Sequence, residues 1–445
     1  MKRLLRAAAM TTFFLLVFPN VTYAGMTAAG AACSKAGATS NSGSKKFTCI
    51  KVGKKLVWDK GVALAKPVNS PTPLASPSPT KSSASAAFKN PVPITLPVPQ
   101  TGAITFANVV SNVDQIPSVA WQQVQDAISS NPDVIIPTTI HIGPNTAASN
   151  SAINTGLSRI NKLFAGFSHV SSYSGIVYNA KDTDWAEADA DALFKKNGIA
   201  SAFTRAENIH QLVTAGCEMR NNKPFDCGGG MSWDFRDGKS DAGGAYYGVQ
   251  SNNGNSSTDF WTDENKNVGP MTQVNHEATH NYQAAQFMHT PLGSGQNTNS
   301  DLSHAFTPWW FSEGQANGIG VSSFIDNLQS YTNIRNDLVT RPGGSNTALP
   351  AFTADGLKGF LTKYQETGPQ NPNWPLAYSI GYATVEALIA IGGPQSTLAL
   401  YALGGNGEDW ATAFQHVYGI SWDQGSTILG QVLAAEYAAK PMQKR

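Results

Sequence analysis

His276-Glu277-Ala278-Thr279-His280 is the stretch on which the reading of this chain turns. On a helix, residues four apart share one face, so both imidazoles can reach a single metal ion. Glu277 lies one step round the helix, where a carboxylate can take a proton from water in an open metal position. The neighbours suit a helix lying under a cleft: Ala278 and Thr279 are small and uncharged, Asn281 is neutral and Tyr282 is largely apolar. Only eight of the 445 residues are histidine. The pattern should therefore arise by chance in roughly one such chain in a hundred or fewer.

Two histidines do not complete a zinc site, and three residues downstream compete for the third place. His289 follows His280 closely and would rotate off the metal-facing side of a continuing helix; Gln283 stands where a turn would need glycine. His304 lies in Ser/Asn-rich sequence with no pattern around it. Glu313 belongs to Pro308-Trp309-Trp310-Phe311-Ser312-Glu313-Gly314-Gln315-Ala316-Asn317, an aromatic run entering a second helix. It is the favoured ligand. Asn317, one turn later, suits either a partner that orients an imidazole or an ordinary polar position.

Trp310 to Ala316 resembles the W-x-x-E-G-x-A segment of the gluzincin metallopeptidases. The resemblance implies zinc held by His276, His280 and Glu313, Glu277 as general base, and peptide or protein substrates. It also implies an α+β, zincin-like catalytic domain, with a small mixed-sheet lobe, the H-E-x-x-H helix and a mainly helical C-terminal lobe. Tyr378-Ser379-Ile380-Gly381-Tyr382-Ala383-Thr384-Val385 resembles the same group's Y-x-x-G-x-x-x-V segment. That implies Tyr378 as the donor to the developing oxyanion, with Tyr382, one turn on, as the fallback.

The chain departs from the group in two places. Glu313 follows His280 by thirty-three residues, where many relatives have about nineteen. Thr290 to Phe306, rich in Gly, Ser and Asn, reads as a loop insertion, which costs little at a surface. Gly243-Gly244-Ala245-Tyr246-Tyr247-Gly248 is the nearest stretch to a G-x-M-E-N segment and lacks the glutamate that would hold a free amino terminus. An endopeptidase or a specialised hydrolase is favoured over an aminopeptidase.

Residues 1–24 read as a secretory signal peptide: basic Met1 to Arg6, apolar Ala7 to Phe18, then Thr22-Tyr23-Ala24 as the cleavage site. The expected localisation is secreted, with cell-surface association as a further expectation. The four cysteines should then pair, most simply Cys33 with Cys49 and Cys217 with Cys227. Residues 25–66 form a small basic module in which Phe47 to Lys51 and Lys55 to Trp58 predict a hairpin around Val52-Gly53-Lys54. Its lysines suit an anionic wall or surface polymer, or simply a solvated face. Residues 67–99, rich in Pro, Ser, Thr and Ala, read as an extended linker.

Residues 100–445 are long enough for a large core. Over 100–268 helical and extended patterns alternate: helices at Pro117 to Ser130, Ile153 to Phe164 and Trp185 to Phe194, strands at Val134 to Ile142 and Ser174 to Tyr178. Residues 269–445 hold the metal helix and a helical lobe. The acidic run Asp182, Asp184, Glu187, Asp189 and Asp191 lacks an EF-hand pattern and reads as a solvated helix face. Net charge is +1 with no basic aromatic stripe, so nucleic-acid binding finds no support. No apolar stretch after residue 24 has the length of a membrane span. The competing class is a cell-surface or cell-wall binding protein whose zincin domain is vestigial.

Overall fold

The structure is a computed structural model. It describes residues 35–42, 45–63, 89–146, 148–196, 209–210, 212, 218–220, 223–226, 228–234, 241–249, 268–290, 299–340, 351–363 and 375–443. The expected signal peptide lies outside them. The chain divides into two compact units, Met1–Ser83 and Ala84–Arg445.

The first unit is a small antiparallel sheet of β1 (Thr39–Ser42), β2 (Lys45–Val52), β3 (Lys55–Trp58) and β4 (Val62–Ala63), all paired through β2 or, for β3, directly against it. The predicted hairpin is present, with Val52 opposite Lys55 and Gly53 turning at φ 61°. The Asp59 carboxylate accepts from the N–H groups of Thr48 (3.0 Å) and Gly61 (2.9 Å), which ties the strand ends together. Cys49 is disulfide-bonded. The other three cysteines lie outside the described residues, so the expected pairings do too.

The second unit is α+β. Its sheet runs β5 (Thr138–Ile142), β6 (Ser172–Asn179), β10 (Ala242–Val249), β9 (Gly228–Asp234), parallel except for the antiparallel edge strand β9. A separate two-stranded pair joins β7 (Glu218–Arg220) and β8 (Lys223–Asp226). Helices α1 (Ile116–Ser130), α2 (Asn150–Leu163) and α3 (Thr183–Lys196) match the predicted ones within a few residues. α1 starts on Pro117 and buries Ile116, Ala120, Val124 and Ile128, the single face that its spacing dictates.

The helical part follows. It comprises α4 (Val268–Ala285), α5 (Asn299–Phe306), α6 (Trp309–Phe324), α7 (Leu328–Thr340), α8 (Ala354–Lys363), α9 (Pro375–Gly392), α10 (Pro394–Gly405), α11 (Trp410–Tyr418) and α12 (Trp422–Ala439). α9 is apolar and long enough to cross a membrane, yet every residue but Tyr378 and Gly392 is buried in the core. At its far side Glu386 meets the buried Arg335 (Nε to Oε2, 2.8 Å), which also bonds Glu436. Tyr331 donates to Glu386 as well (2.5 Å). A buried charge is tolerated only when paired in this way.

Three expectations need correction. Residues 89–99 are no linker: Asn90 and Val98 are buried, Val98 N–H bonds the carbonyl of Val417 (2.8 Å), and Val92, Ile94 and Leu96 pack on the core. Alternating prolines keep this strap extended while its apolar residues find a groove. The end of the supposed loop 290–306 is α5. In the acidic run, Asp182 is buried rather than solvated. It accepts from the Asn145 side chain (2.6 Å), the Asn145 N–H (3.0 Å) and the Thr146 hydroxyl (2.5 Å). Asp189 pairs with His141 at 2.8 Å.

Helix α6 lies between α4 and α9 and can do so only because glycines face its neighbours. A Cβ on Gly314 would fall 2.3 Å from the Gly381 carbonyl carbon, and one on Gly320 would fall 2.8 Å from the Thr272 carbonyl oxygen. On Gly381 it would fall 2.1 Å from the carbonyl oxygen of Trp310. Gly381→Ala should therefore force α6 and α9 apart and lower stability by about 1–3 kcal/mol. Urea unfolding measures this; an unchanged midpoint would refute the contact.

Candidate metal centre

Helix α4 carries His276, Glu277 and His280, and α6 carries Glu313. One ligand atom from each of His276, His280 and Glu313 lies within 4.8 Å of the others. The Nε2 atoms of the two histidines are 3.1 Å apart, and Glu313 Oε2 lies 3.4 Å from His276 Nε2 and 3.5 Å from His280 Nε2. All three side chains are largely buried, Glu313 to 4% exposure.

The protons decide what this cluster wants. His280 Nδ1 lies 2.8 Å from Gln283 Oε1, and His276 Nδ1 lies 2.9 Å from Asn317 Oδ1. The Gln283 amide is oriented by its other bonds, because its nitrogen donates to the carbonyl of Ser312 (3.1 Å), which can only accept. Its oxygen, which also accepts from the Ser312 hydroxyl (3.0 Å), therefore faces His280. Asn317 is oriented likewise, its nitrogen donating to the Tyr378 carbonyl at 3.5 Å. With Nδ1 facing an amide oxygen in each ring, the Nε2 atoms of both histidines turn inward towards the Glu313 carboxylate, whose charge holds a proton on His280. Three ligand atoms converge in this space around a carboxylate, and the charge that balances it is a proton on the histidines or a metal ion in its place. Two imidazole nitrogens and a carboxylate are the donor set of a catalytic zinc site, so the residues fit the ion.

The electrostatics agree. Burial pulls the His280 pKa down, but Glu313, Glu277 and Gln283 raise it more, to about 9. Burial raises Glu313, yet His280 and His276 outweigh it and hold the carboxyl well below the usual range. Glu277 goes the other way. Burial, aided by Glu313, raises its pKa against the two histidines and a hydrogen bond from the Ser232 N–H.

Glu277 lies against the edge strand β9. A Cβ on Gly230 would fall 2.4 Å from its Oε1, so only glycine leaves room for the carboxylate there. The glycine stretch from Gly243 to Gly248, weighed as the substrate-recognition segment, is instead in the interior strand β10. The strand beside the site is β9 (Gly228–Asp234), which meets Glu277 at Gly230 and Ser232.

Tyr378 projects from α9 beside the centre, its ring stacked on that of His276 at 6.3 Å and 13°. Tyr382, the fallback, is fully buried in the core and packs near Gly318. His289 is exposed and pairs with Asp241 (3.1 Å). His304, on α5, is not one of the three converging ligands, yet its ring centroid lies 6.4 Å from that of His280 and 5.0 Å from that of Trp309. The sequence reading missed Gln283, whose signal was its place three residues after His280, on the same helix face.

Compared with protein-family models, curated proteins and solved structures, the chain matches none.

A divalent ion must displace the proton that His280 holds up to about 9. Zinc affinity should rise with pH, about tenfold per unit, and level off above that value. Chelator competition between pH 6 and 9 tests this. An affinity independent of pH would exclude His280 as a ligand. Glu313→Ala should weaken zinc by orders of magnitude while leaving the fold intact, as read by elemental analysis and circular dichroism.

Proposed function

We propose that this protein is an exported zinc-dependent metallopeptidase of gluzincin type, with a zincin-like catalytic domain and one zinc ion per chain. The observation that carries the reading is the convergence of three ligand atoms from His276, His280 and Glu313 beside a second carboxylate, Glu277, whose pKa is raised. Zinc bound there would supply Lewis acidity, lowering the pKa of water and polarising a carbonyl.

The chain's own groups would do the rest. Glu277 accepts the proton of the attacking water, and its raised pKa makes it a stronger base than an ordinary carboxylate. The same carboxyl then delivers that proton to the leaving amine. Tyr378, beside His276, donates its hydroxyl hydrogen to the oxyanion. Among the described residues β9 is the outer strand of its sheet and runs beside Glu277, and an extended peptide laid along it favours peptide over other amide substrates. The sequence's lack of a convincing G-x-M-E-N segment favours internal cleavage over removal of amino-terminal residues.

The vestigial alternative, a surface-binding protein on an inert zincin domain, fits poorly with this site. Against it stand the convergence of His276, His280 and Glu313 and the two amides bonded to their imidazoles.

Glu277→Ala should keep zinc and lose turnover by about 10²–10⁴-fold on a quenched-fluorescence peptide library. Tyr378→Phe should lower kcat far more than it raises KM. Full activity in the Glu277 variant would sink the proposal.

A further inference from the structure

The amino-terminal sheet has one face more than its core can use. Phe47 and Cys49 on β2 are buried and, with Trp58 opposite Cys49, form the module's small interior. Alternation along a strand then sends Lys46, Thr48, Ile50 and Val52 to the opposite face. The register adds Val57 opposite Ile50, Lys55 opposite Val52 and Val62 opposite Lys46. A solvated face should be polar. This one exposes Ile50 (41%), Val52 (57%) and Val62 (70%). Those are three of the six exposed large hydrophobic residues among the described ones, gathered in a module of about thirty residues.

Charge selects the partner. Residues 25–83 contain nine lysines and one acidic residue, Asp59, whose carboxylate is already engaged by Thr48 and Gly61. Residues 84–445 run the other way, with nineteen Lys and Arg against twenty-nine Asp and Glu. The surface polymer suggested by the sequence would need lysines alone, since aliphatic side chains gain nothing from a hydrophilic polyanion. A lipid headgroup layer uses both: apolar side chains enter the interface while lysines meet anionic phosphates.

We propose that the face formed by Ile50, Val52, Val57 and Val62, with Lys46 and Lys55 among them, docks on an anionic lipid bilayer. The module is then a peripheral anchor for the acidic catalytic unit, and this holds whether or not the metal centre is active.

The test is cosedimentation of the chain from Gly25 onward, both units included, with vesicles. Phosphatidylglycerol-containing vesicles should bind it at least about tenfold more strongly than pure phosphatidylcholine, and about 0.5 M salt should weaken but not abolish the binding. The triple variant Ile50→Ser, Val52→Ser, Val62→Ser should lose about tenfold in partition. Val62→Ser alone, at the most exposed position, should lose part of it and guards against misfolding of the triple variant. Three results would overturn the proposal: no preference for anionic vesicles, undiminished binding by both variants, or complete loss in salt together with binding to a soluble polyanion. A concentration-dependent dimer that the triple variant abolishes would assign the face to a second copy of the chain and overturn it equally.

Discussion

The structure depends on burying α6 on all sides while that helix carries a carboxylate. Between α4 and α9 there is space for a helix only at backbone-contact distance, which Gly314, Gly320 and Gly381 permit. Glu313 is thereby fixed opposite the histidines of α4 and almost wholly buried. Desolvation alone would neutralise such a group. The two imidazoles keep it ionised, and so the packing of one helix and the chemistry of the centre are a single constraint.

The amides around the histidines set the character of the site. Carboxylates commonly orient metal-binding imidazoles and raise their basicity. Here Gln283 and Asn317 do the orienting without adding charge, and Gln283 is itself anchored through Gln315 (2.8 Å) and on to Thr397 (2.8 Å) of α10. The position of His280 is thus tied to the helical lobe by a chain of neutral hydrogen bonds.

Much of this centre was legible in the sequence because its signals are local. His276 and His280 are one helical turn apart, and the aromatic run around Glu313 announces a buried helix start. Tyr378 could be placed by resemblance alone, and the structure sets it against His276. What escaped reading depends on contacts between distant segments. Gln283 stands one turn from His280, but only the contacts with Ser312 turn its oxygen to the imidazole, and Asp182 looks solvated until Asn145 and Thr146 are folded onto it. The end of the linker was misplaced for a simpler reason. Proline-rich composition argues for an extended chain, and residues 89–99 are extended, but Val92, Ile94, Leu96 and Val98 alternate so that the extended chain has an apolar edge to bury. The helix α5 had its own faint signal, Leu302 and Phe306 four apart within polar sequence.

The strap at 89–99 also defines how force would enter the catalytic unit. Asn90 donates to the carbonyl of Gln286, just beyond α4, while its own carboxamide oxygen accepts from Ser168, its N–H reaches Asn406 (2.7 Å), and its carbonyl accepts from Asn406 (3.2 Å). One residue thus grips the sheet side, the end of α4 and the helical lobe together. Tension arriving from an anchored amino terminus would load all three at once, in parallel, rather than peel away one element at a time. A tether attached in this way resists pulling where the molecule can bear it best.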